Sequence, residues 1–375
     1  MKRKIAIDLT WVRHKKVGGT ESCIRNLLDG FSQIDCEDIE FVLLVAKDNA
    51  YSFDKYREFD CFKILVCDIK AANQGKRVLW QNFKMGKLLK SNNIHTCLEP
   101  IYGKPFLNFH RVDFYTTIHD LQAIHYPEYF SKLRVLWMKL SWKNAVRTSK
   151  KVIAISEYVK NDIIDKLKAE ENKIVVIYDA IDLNQSECLD NSGLNKYGVE
   201  QGKYYYTVSS LLPHKNLKTI INVIGELKRR NSEAFYPLII SGVGGKDKSQ
   251  LDEIIREQNI EDDIIFTSFV DNIERNMLYK NCKAFLFPSV FEGFGMPPIE
   301  AMIWGVPVII SASTSLREVT GGIANYVYNP LDYKEWVSKL EMNCKESNKV
   351  EVNKLISRYE CKAIAEKYHE LFIQF

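Results

Sequence analysis

Glu292 and Glu300 stand with seven residues between them in Phe291-Glu292-Gly293-Phe294-Gly295-Met296-Pro297-Pro298-Ile299-Glu300. Ala284-Phe285-Leu286-Phe287 ahead of them reads as a buried strand, which Pro288-Ser289 ends. The loop that follows carries Gly293 and Gly295, flanking Phe294, where missing side chains let backbone amides approach a ligand closely. Pro297-Pro298 then open a helix, a position that suits proline because its nitrogen would have no partner there anyway. Unpaired amides and the macrodipole at a helix start favour an anion such as a diphosphate. Glu300, read as lying in the first turn, can accept hydrogen bonds from a vicinal diol such as ribose, while Glu292 sits nearer the strand end. The plain alternative makes both carboxylates solvated loop and helix-cap residues.

Such residues need a scaffold to hold them. The chain's apolar runs are short, β-rich and continuous, the pattern of strands buried on both faces of a parallel sheet. Runs at 5–9, 41–45, 62–66, 114–118, 152–155 and 174–177 form one series, with helices such as 20–31 and 78–90 between them. After a polar stretch at 183–203 a second series begins at 204–209, 238–241, 264–267, 284–288 and 306–311, with helices at 216–230 and 249–258. At 375 residues two domains are expected. The expectation is α/β: two doubly wound Rossmann-like domains facing across a cleft, 1–185 (rejoined by a C-terminal helix at about 357–375) and 200–356. A formal charge of +4 is too small for this length to select a class of partner. Nine scattered cysteines without a C-x-x-C pair suggest neither a disulfide framework nor a zinc site, and fit a reduced, cytoplasmic chain. The basic start Met1-Lys2-Arg3-Lys4 lacks the apolar run of a signal peptide, and no stretch approaches the roughly 20 apolar residues of a membrane-spanning helix.

Together with its strand, its prolines and the following Ala301-Met302 and Gly305-Val306-Pro307-Val308, the 291–300 segment resembles the E-x7-E signature of the retaining family-four glycosyltransferases of GT-B fold, particularly their bacterial mannosyltransferase-like members. The resemblance covers nearly the whole chain. It implies transfer of a hexose from a nucleotide sugar, GDP-mannose or a UDP-sugar, to a hydroxyl of a glycan or lipid-linked acceptor, with retention at the anomeric carbon and in the setting of bacterial surface polysaccharide. It further implies that Glu300 binds ribose, Glu292 the sugar hydroxyls, and that Gly293, Phe294 and Gly295 line the donor. Val17-Gly18-Gly19-Thr20-Glu21 is similar to the family's glycine-rich loop, which puts Gly18 and Gly19 beside the donor phosphates or the acceptor. Thr117-Ile118-His119-Asp120-Leu121 matches its His-Asp strand end, where His119 reaches the transferred sugar and Asp120 braces the loop. Ala154-Ile155-Ser156-Glu157 resembles a Ser-Glu turn in which Ser156 reads as a helix cap. Gly242-Val243-Gly244-Gly245 falls short of G-x-G-x-x-G, but places Gly242 near the nucleotide. Ser315-Leu316-Arg317-Glu318-Val319 is similar to a late family segment in which Glu318 supports the donor loop.

The pattern is incomplete at one place. The family's diphosphate grip combines an arginine with a lysine; here Lys215 matches the lysine, while Ser210 and His214 stand where arginine is usual. Charge on the leaving group then falls to Lys215, backbone amides and, as a further candidate, a protonated His214. The alternative reading is a catalytically silent or non-transferring relative that still binds a sugar nucleotide. No metal is expected, because no D-x-D stands at a strand end to hold one. No nucleic-acid partner is expected either. Residues 132–151, KLRVLWMKLSWKNAVRTSKK, leave two readings open: a helix docked on the first domain with a solvated basic face, or a surface helix that touches anionic membrane and guides a lipid-linked acceptor. Gly75-Lys76-Arg77 and Lys84 to Lys90 add positive charge to the same domain.

Overall fold

The computed structural model describes residues 2–14, 18–183, 190–243, 248–342 and 348–374. Val17, Gly244, Gly245 and residues 184–189 of the polar stretch lie outside the described residues. The chain divides into two compact units, 1–182 with 359–375, and 183–358.

The first unit is built on strands β1 (Arg3–Asp8), β2 (Ile39–Ala46), β3 (Phe62–Cys67), β4 (Thr96–Glu99), β5 (Asp113–Ile118), β6 (Lys151–Ala154) and β7 (Ile174–Val176). They pair in parallel in the order β3-β2-β1-β4-β5-β6-β7. Alternation along each strand divides the side chains between two cores. Ile5, Ile7, Phe41, Leu43 and Val45 face the helices Gly19–Phe31 and Cys361–Gln374. Ala6, Val42, Leu44 and Ala46 face Trp80, Met85 and Leu89. The latter three belong to the helical run Gln74–Trp80, Gln81–Met85 and Gly86–Ser91, whose middle turn is π-helical. Residues buried on both faces read as continuous apolar runs, which is why β1 and β2 were legible in the sequence.

The C-terminal helix belongs to this unit by contact. Ile181 bridges Glu360 in parallel, with the Ile181 amide donating to the Tyr359 carbonyl at 2.8 Å. Phe372 then packs edge-on to Phe41 and Tyr115.

The second unit carries β8 (Tyr205–Val208), β9 (Leu238–Ser241), β10 (Ile264–Phe266), β11 (Ala284–Phe287), β12 (Val308–Ser311) and β13 (Asn325–Val327), parallel in the order β10-β9-β8-β11-β12-β13. One face packs on Ile220, Ile224 and Leu227 of helix Leu217–Arg229 and on Trp336. The other gathers Tyr206, Tyr279 and Phe285 with ring centroids 5.1–5.9 Å apart. In each sheet the strand order reverses once, between β1 and β4 and between β8 and β11. Ligands of such sheets bind beyond the C-terminal strand ends at that reversal. Among the described residues no helix is long and apolar enough to cross a membrane.

Candidate functional site

At the β8/β11 reversal the loops after the two strands meet. Lys215 comes from the turn Pro213–Lys215 and Glu292 from the loop after β11; the ammonium donates to Glu292 Oε1 at 2.5 Å. Both side chains are mostly but not fully buried, at 21% and 14% exposure. The loops are also stitched through their backbones: the His214 carbonyl accepts from the Val290 amide at 2.8 Å and from the Ser289 hydroxyl at 3.2 Å. Buried Asn216 donates to the carbonyls of Pro288 and Pro330 at 3.2 and 2.8 Å. Glu292 is held from behind, its amide donating to Thr314 Oγ1 at 3.0 Å, while the Ser315 hydroxyl reaches the carbonyls of Glu292 and Phe294, each at 3.0 Å.

The helix after this loop runs Met296–Ile303 and is capped by Gly295 at φ 97°, a backbone region that a Cβ disfavours. Because the left-handed residue sets the start, Met296 opens the helix, one residue before Pro297. Glu300 is therefore its fifth residue and lies in the second turn, not the first. There it is neither solvated nor a cap. Tyr279 donates to Glu300 Oε2 at 2.9 Å and Arg275 stands 3.4 Å from Oε1. Burial first, then the Glu300 charge, push the Tyr279 phenol well up, so it stays a donor. Phe291 and Phe294 are buried beneath the loop.

His214 does not fit a cationic role. Its ring is buried, and burial, reinforced by the neighbouring Lys215, lowers it to about 4. The imidazole is uncharged near neutrality, so Lys215 carries the positive charge of this turn without it. Ser210 lies instead on a cavity of about 500 Å³ beyond β8 and β9, whose wall includes Leu212, Pro213, Lys218 and Lys248. Neither Lys218 nor Lys248 was singled out in the sequence, since each is one lysine among many in a helical stretch. Gly242, at φ 87° after β9, packs where a Cβ would meet the Ser209 carbonyl oxygen, so this turn also requires glycine. Glu318 sits half-buried in the short helix Leu316–Val319.

In the first unit, His119 follows β5 and is buried, its Nε2 2.8 Å from the Pro100 carbonyl. That carbonyl can only accept, so Nε2 is the donor of this hydrogen bond. Asp120 braces the turn, accepting from the Gln122 amide and from the Tyr102 hydroxyl, both at 2.8 Å. Ser156 caps helix Glu157–Leu167 by accepting from the Val159 amide at 3.2 Å. Gly18, at φ 74°, and Gly19 are exposed at the start of helix Gly19–Phe31, with open space where a Cβ on Gly18 would lie.

The β1/β4 reversal holds residues that sequence reasoning missed. Asp8 ends β1 and Glu99 ends β4, both buried. The Asp8 carboxylate accepts from the Thr10 amide at 2.8 Å and Gln81 Nε2 at 2.6 Å. Glu99 Oε1 has no hydrogen-bond partner among the described residues. Burial, then the adjacent Asp8, push the Glu99 carboxyl well above the carboxylate range. Lys104, also buried, is lowered by its own burial. The signal was absent because β4 is short and mixed, Thr-Cys-Leu-Glu, and does not read as a strand.

Comparison with known proteins agrees with this arrangement. Residues 17–185 match the family described as Glycosyltransferase Family 4, and residues 195–353 match Glycosyl transferases group 1. The chain is 31% identical over 237 residues to O-antigen chain mannosyltransferase B of Escherichia coli, covering 62% of this chain and 61% of that one. It is 31% identical over 225 residues to O-antigen chain mannosyltransferase RfbU of Salmonella typhimurium, covering 60% and 59%. The matches thus span about three fifths of those relatives' lengths. In fold it is similar to Anabaena HepE solved with UDP and glucose (TM-score 0.72, 17% identity, all of both chains). It is likewise similar to sucrose-phosphate synthase of Thermosynechococcus elongatus (TM-score 0.75, 15% identity, 100% and 99% of the two chains). Two parallel sheets with one reversal each, a helix start and an acid-lysine pair at the second reversal, and family matches over both halves together mean that the chain belongs to the glycosyltransferases of GT-B fold.

Proposed function

We propose that this protein is a retaining hexosyltransferase that moves a sugar from a nucleotide donor, GDP-mannose or a UDP-sugar, to a hydroxyl of a glycan or lipid-linked acceptor in bacterial surface polysaccharide synthesis. The observation that carries the reading is the Lys215–Glu292 pair beside the Met296–Ile303 helix start. In a nucleotide sugar the anomeric carbon is bonded to a phosphate oxygen, so groups for phosphate and for sugar hydroxyls must be neighbours. A lysine and a glutamate 2.5 Å apart meet that demand. Lys215 and the amides at the helix start face the diphosphate, Glu292 the sugar hydroxyls, and Glu300, steadied by Tyr279, the ribose. By the family resemblance, His119 serves the transferred sugar, and Gly18 and Gly19 the phosphates or acceptor.

The acceptor oxygen attacks the anomeric carbon on the face the diphosphate leaves. The C1–O bond breaks with its electron pair going to the phosphate, and the acceptor's proton passes to a departing phosphate oxygen. No resident metal has a part in this reading. The likeness to O-antigen mannosyltransferases favours a mannose donor; the UDP in the HepE structure keeps a UDP-sugar in the panel. The reading places the protein in the cytoplasm, in peripheral contact with anionic membrane.

The test is a panel of GDP- and UDP-sugars, read as nucleotide release with and without a lipid-diphosphate acceptor. One donor is expected to release faster with acceptor, and Lys215→Ala to lower that turnover at least about 100-fold while the fold persists. Donor binding without release across the whole panel would establish the silent relative instead. Near-normal turnover of the alanine variant would remove Lys215 from the phosphate.

A further inference from the structure

Cys36 lies in the turn between helix Gly19–Phe31 and β2, and Cys61 stands immediately before β3. Nothing in their spacing links them; the parallel pairing of β2 with β3 does. The Phe41 amide donates to the Cys61 carbonyl at 2.8 Å, and the Ile39 amide to that of Cys36 at 3.3 Å. Both sulfurs then lie 3.8 Å from one oxygen, the Phe31 carbonyl at the end of the helix. A helix end leaves such carbonyls without helical partners, and here two thiols share one. Each thiol is also hydrogen-bonded to the other.

The surroundings hold this pair in place. Phe31 stacks on Phe41 with ring centroids 4.0 Å apart, and Phe41 meets Phe62, the residue after Cys61, at 6.0 Å. Cys36 is buried in the same core, while Cys61 packs against it and keeps partial access to solvent.

The two sulfurs are not equivalent. The hydrogen bond from Cys36, then its own backbone and the charge of Lys2, lower the Cys61 thiol against the effect of burial. The same bond, then burial, push the Cys36 thiol up. The other described cysteines, Cys23, Cys67, Cys97, Cys282 and Cys361, are all raised, first by burial. Cys61 thus combines access with thiolate character, and its neighbour is in place to resolve whatever it forms.

We propose that Cys36 and Cys61 form a dithiol site that closes to a disulfide by exchange with a low-molecular-weight disulfide such as oxidised glutathione. The Cys61 thiol first loses its proton to solvent. Its thiolate attacks one sulfur of the small disulfide, making a mixed disulfide and expelling one thiolate. Cys36 gives its proton to that thiolate, and its sulfur attacks Cys61 Sγ. The second thiolate leaves and takes a proton from solvent. The chain is oxidised by two electrons and loses two hydrogens, and the small disulfide is reduced to two thiols. The new bond ties the entry of β2 to that of β3 and removes both S–H donors from the Phe31 carbonyl. The site lies at the N-terminal edge of the first sheet, opposite the strand ends that lead into Gly18 and His119. The inference therefore goes beyond the transferase reading and stands without it.

The experiment treats the native full chain with oxidised glutathione, alkylates the remaining thiols and maps the peptides by mass spectrometry. Wild type is expected to lose two hydrogens, to yield peptides joined through Cys36 and Cys61, and to recover both thiols in dithiothreitol. Cys36→Ser should stop at a glutathione adduct on Cys61, the intermediate that the wild type passes through. Cys61→Ser should react at Cys36 at least about tenfold more slowly than wild type reacts at Cys61. Cys67→Ser, which removes a buried thiol elsewhere in the first unit, should close like the wild type. A thermal melt of each variant verifies its fold. Glutathione retained on Cys61 of the wild type overturns the proposal. So does linkage through other cysteines instead, or a disulfide joining two chains on a non-reducing gel.

Discussion

Lys215 and His214 are adjacent in sequence yet carry different charge, and burial is the reason. Lys215 reaches a carboxylate at the edge of the loop, while His214 is folded under it and held near 4 by lost hydration and by the lysine beside it. The residue type at 214 suggested a second cation; its environment removes that option. The consequence is measurable as stability against pH. The unfolded chain takes up this proton near 6.5, whereas the folded loop refuses it until about 4. The native state therefore binds fewer protons between these values, its stability from this group is complete above about 6.5, and it is lost as pH falls toward 4. The amount is up to about 3 kcal/mol. Urea unfolding of wild type and His214→Gln from pH 4 to 7 should show a shallower dependence in the variant; equal slopes would contradict the assignment. Glu292 and Glu300 were visible from their spacing, but their partners Lys215, Tyr279 and Arg275 lie 77, 21 and 25 positions away and were joined to them only by packing.

The loop between β11 and its helix shows how local chemistry becomes site geometry. Gly295 turns the chain into the left-handed region, so the helix begins at Met296 and Pro297-Pro298 fall in its first turn, where an N–H would have no helical partner. A Cβ on Gly295 would also sit 2.5 Å from Leu316 Cδ2. Gly295→Ala should destabilise the second unit by about 1–3 kcal/mol, as strained non-glycine residues do. Thermal unfolding and nucleotide-sugar affinity should fall together in that variant; an unchanged melting temperature would show the turn to be tolerant. Most strands were legible because apolar runs buried on both faces read as continuous. β4 and β13 were not, being a four-residue and a three-residue strand of mixed polarity placed by their neighbours. Missing β4 also hid Glu99, whose position beside Asp8 depends on a parallel pairing across about 90 residues of chain. Leu133, Leu136, Trp137 and Leu140 of helix Lys132–Thr148 face outward. Their period was legible in the sequence, but period alone does not say which way a face points.

At the scale of the molecule, the chain leaves the first unit at Asp182 and returns to it at Tyr359. The returning helix contributes Ile364, Tyr368, Leu371 and Phe372 to the core behind β1 and β2. Fully burying side chains of this size stabilises by roughly 1.5–3 kcal/mol each. Their sum is on the order of the net stability of a whole domain, roughly 5–15 kcal/mol. Truncation after Arg358 is therefore expected to abolish the first unit's unfolding transition while leaving that of the second, read by calorimetry of both chains. Two surviving transitions would show the helix to be dispensable. The amino-acid sequence by itself determined the α/β class, two series of strands and the loop 291–300, because these rest on local periodicity and on glycine and proline geometry. Tertiary structure alone decided that Lys215 meets Glu292, that Glu300 is held by Tyr279, that His214 is neutral and that the leucines of 133–140 face outward. Each of those depends on burial and on contacts between distant segments, and neither quantity is defined until the chain has folded.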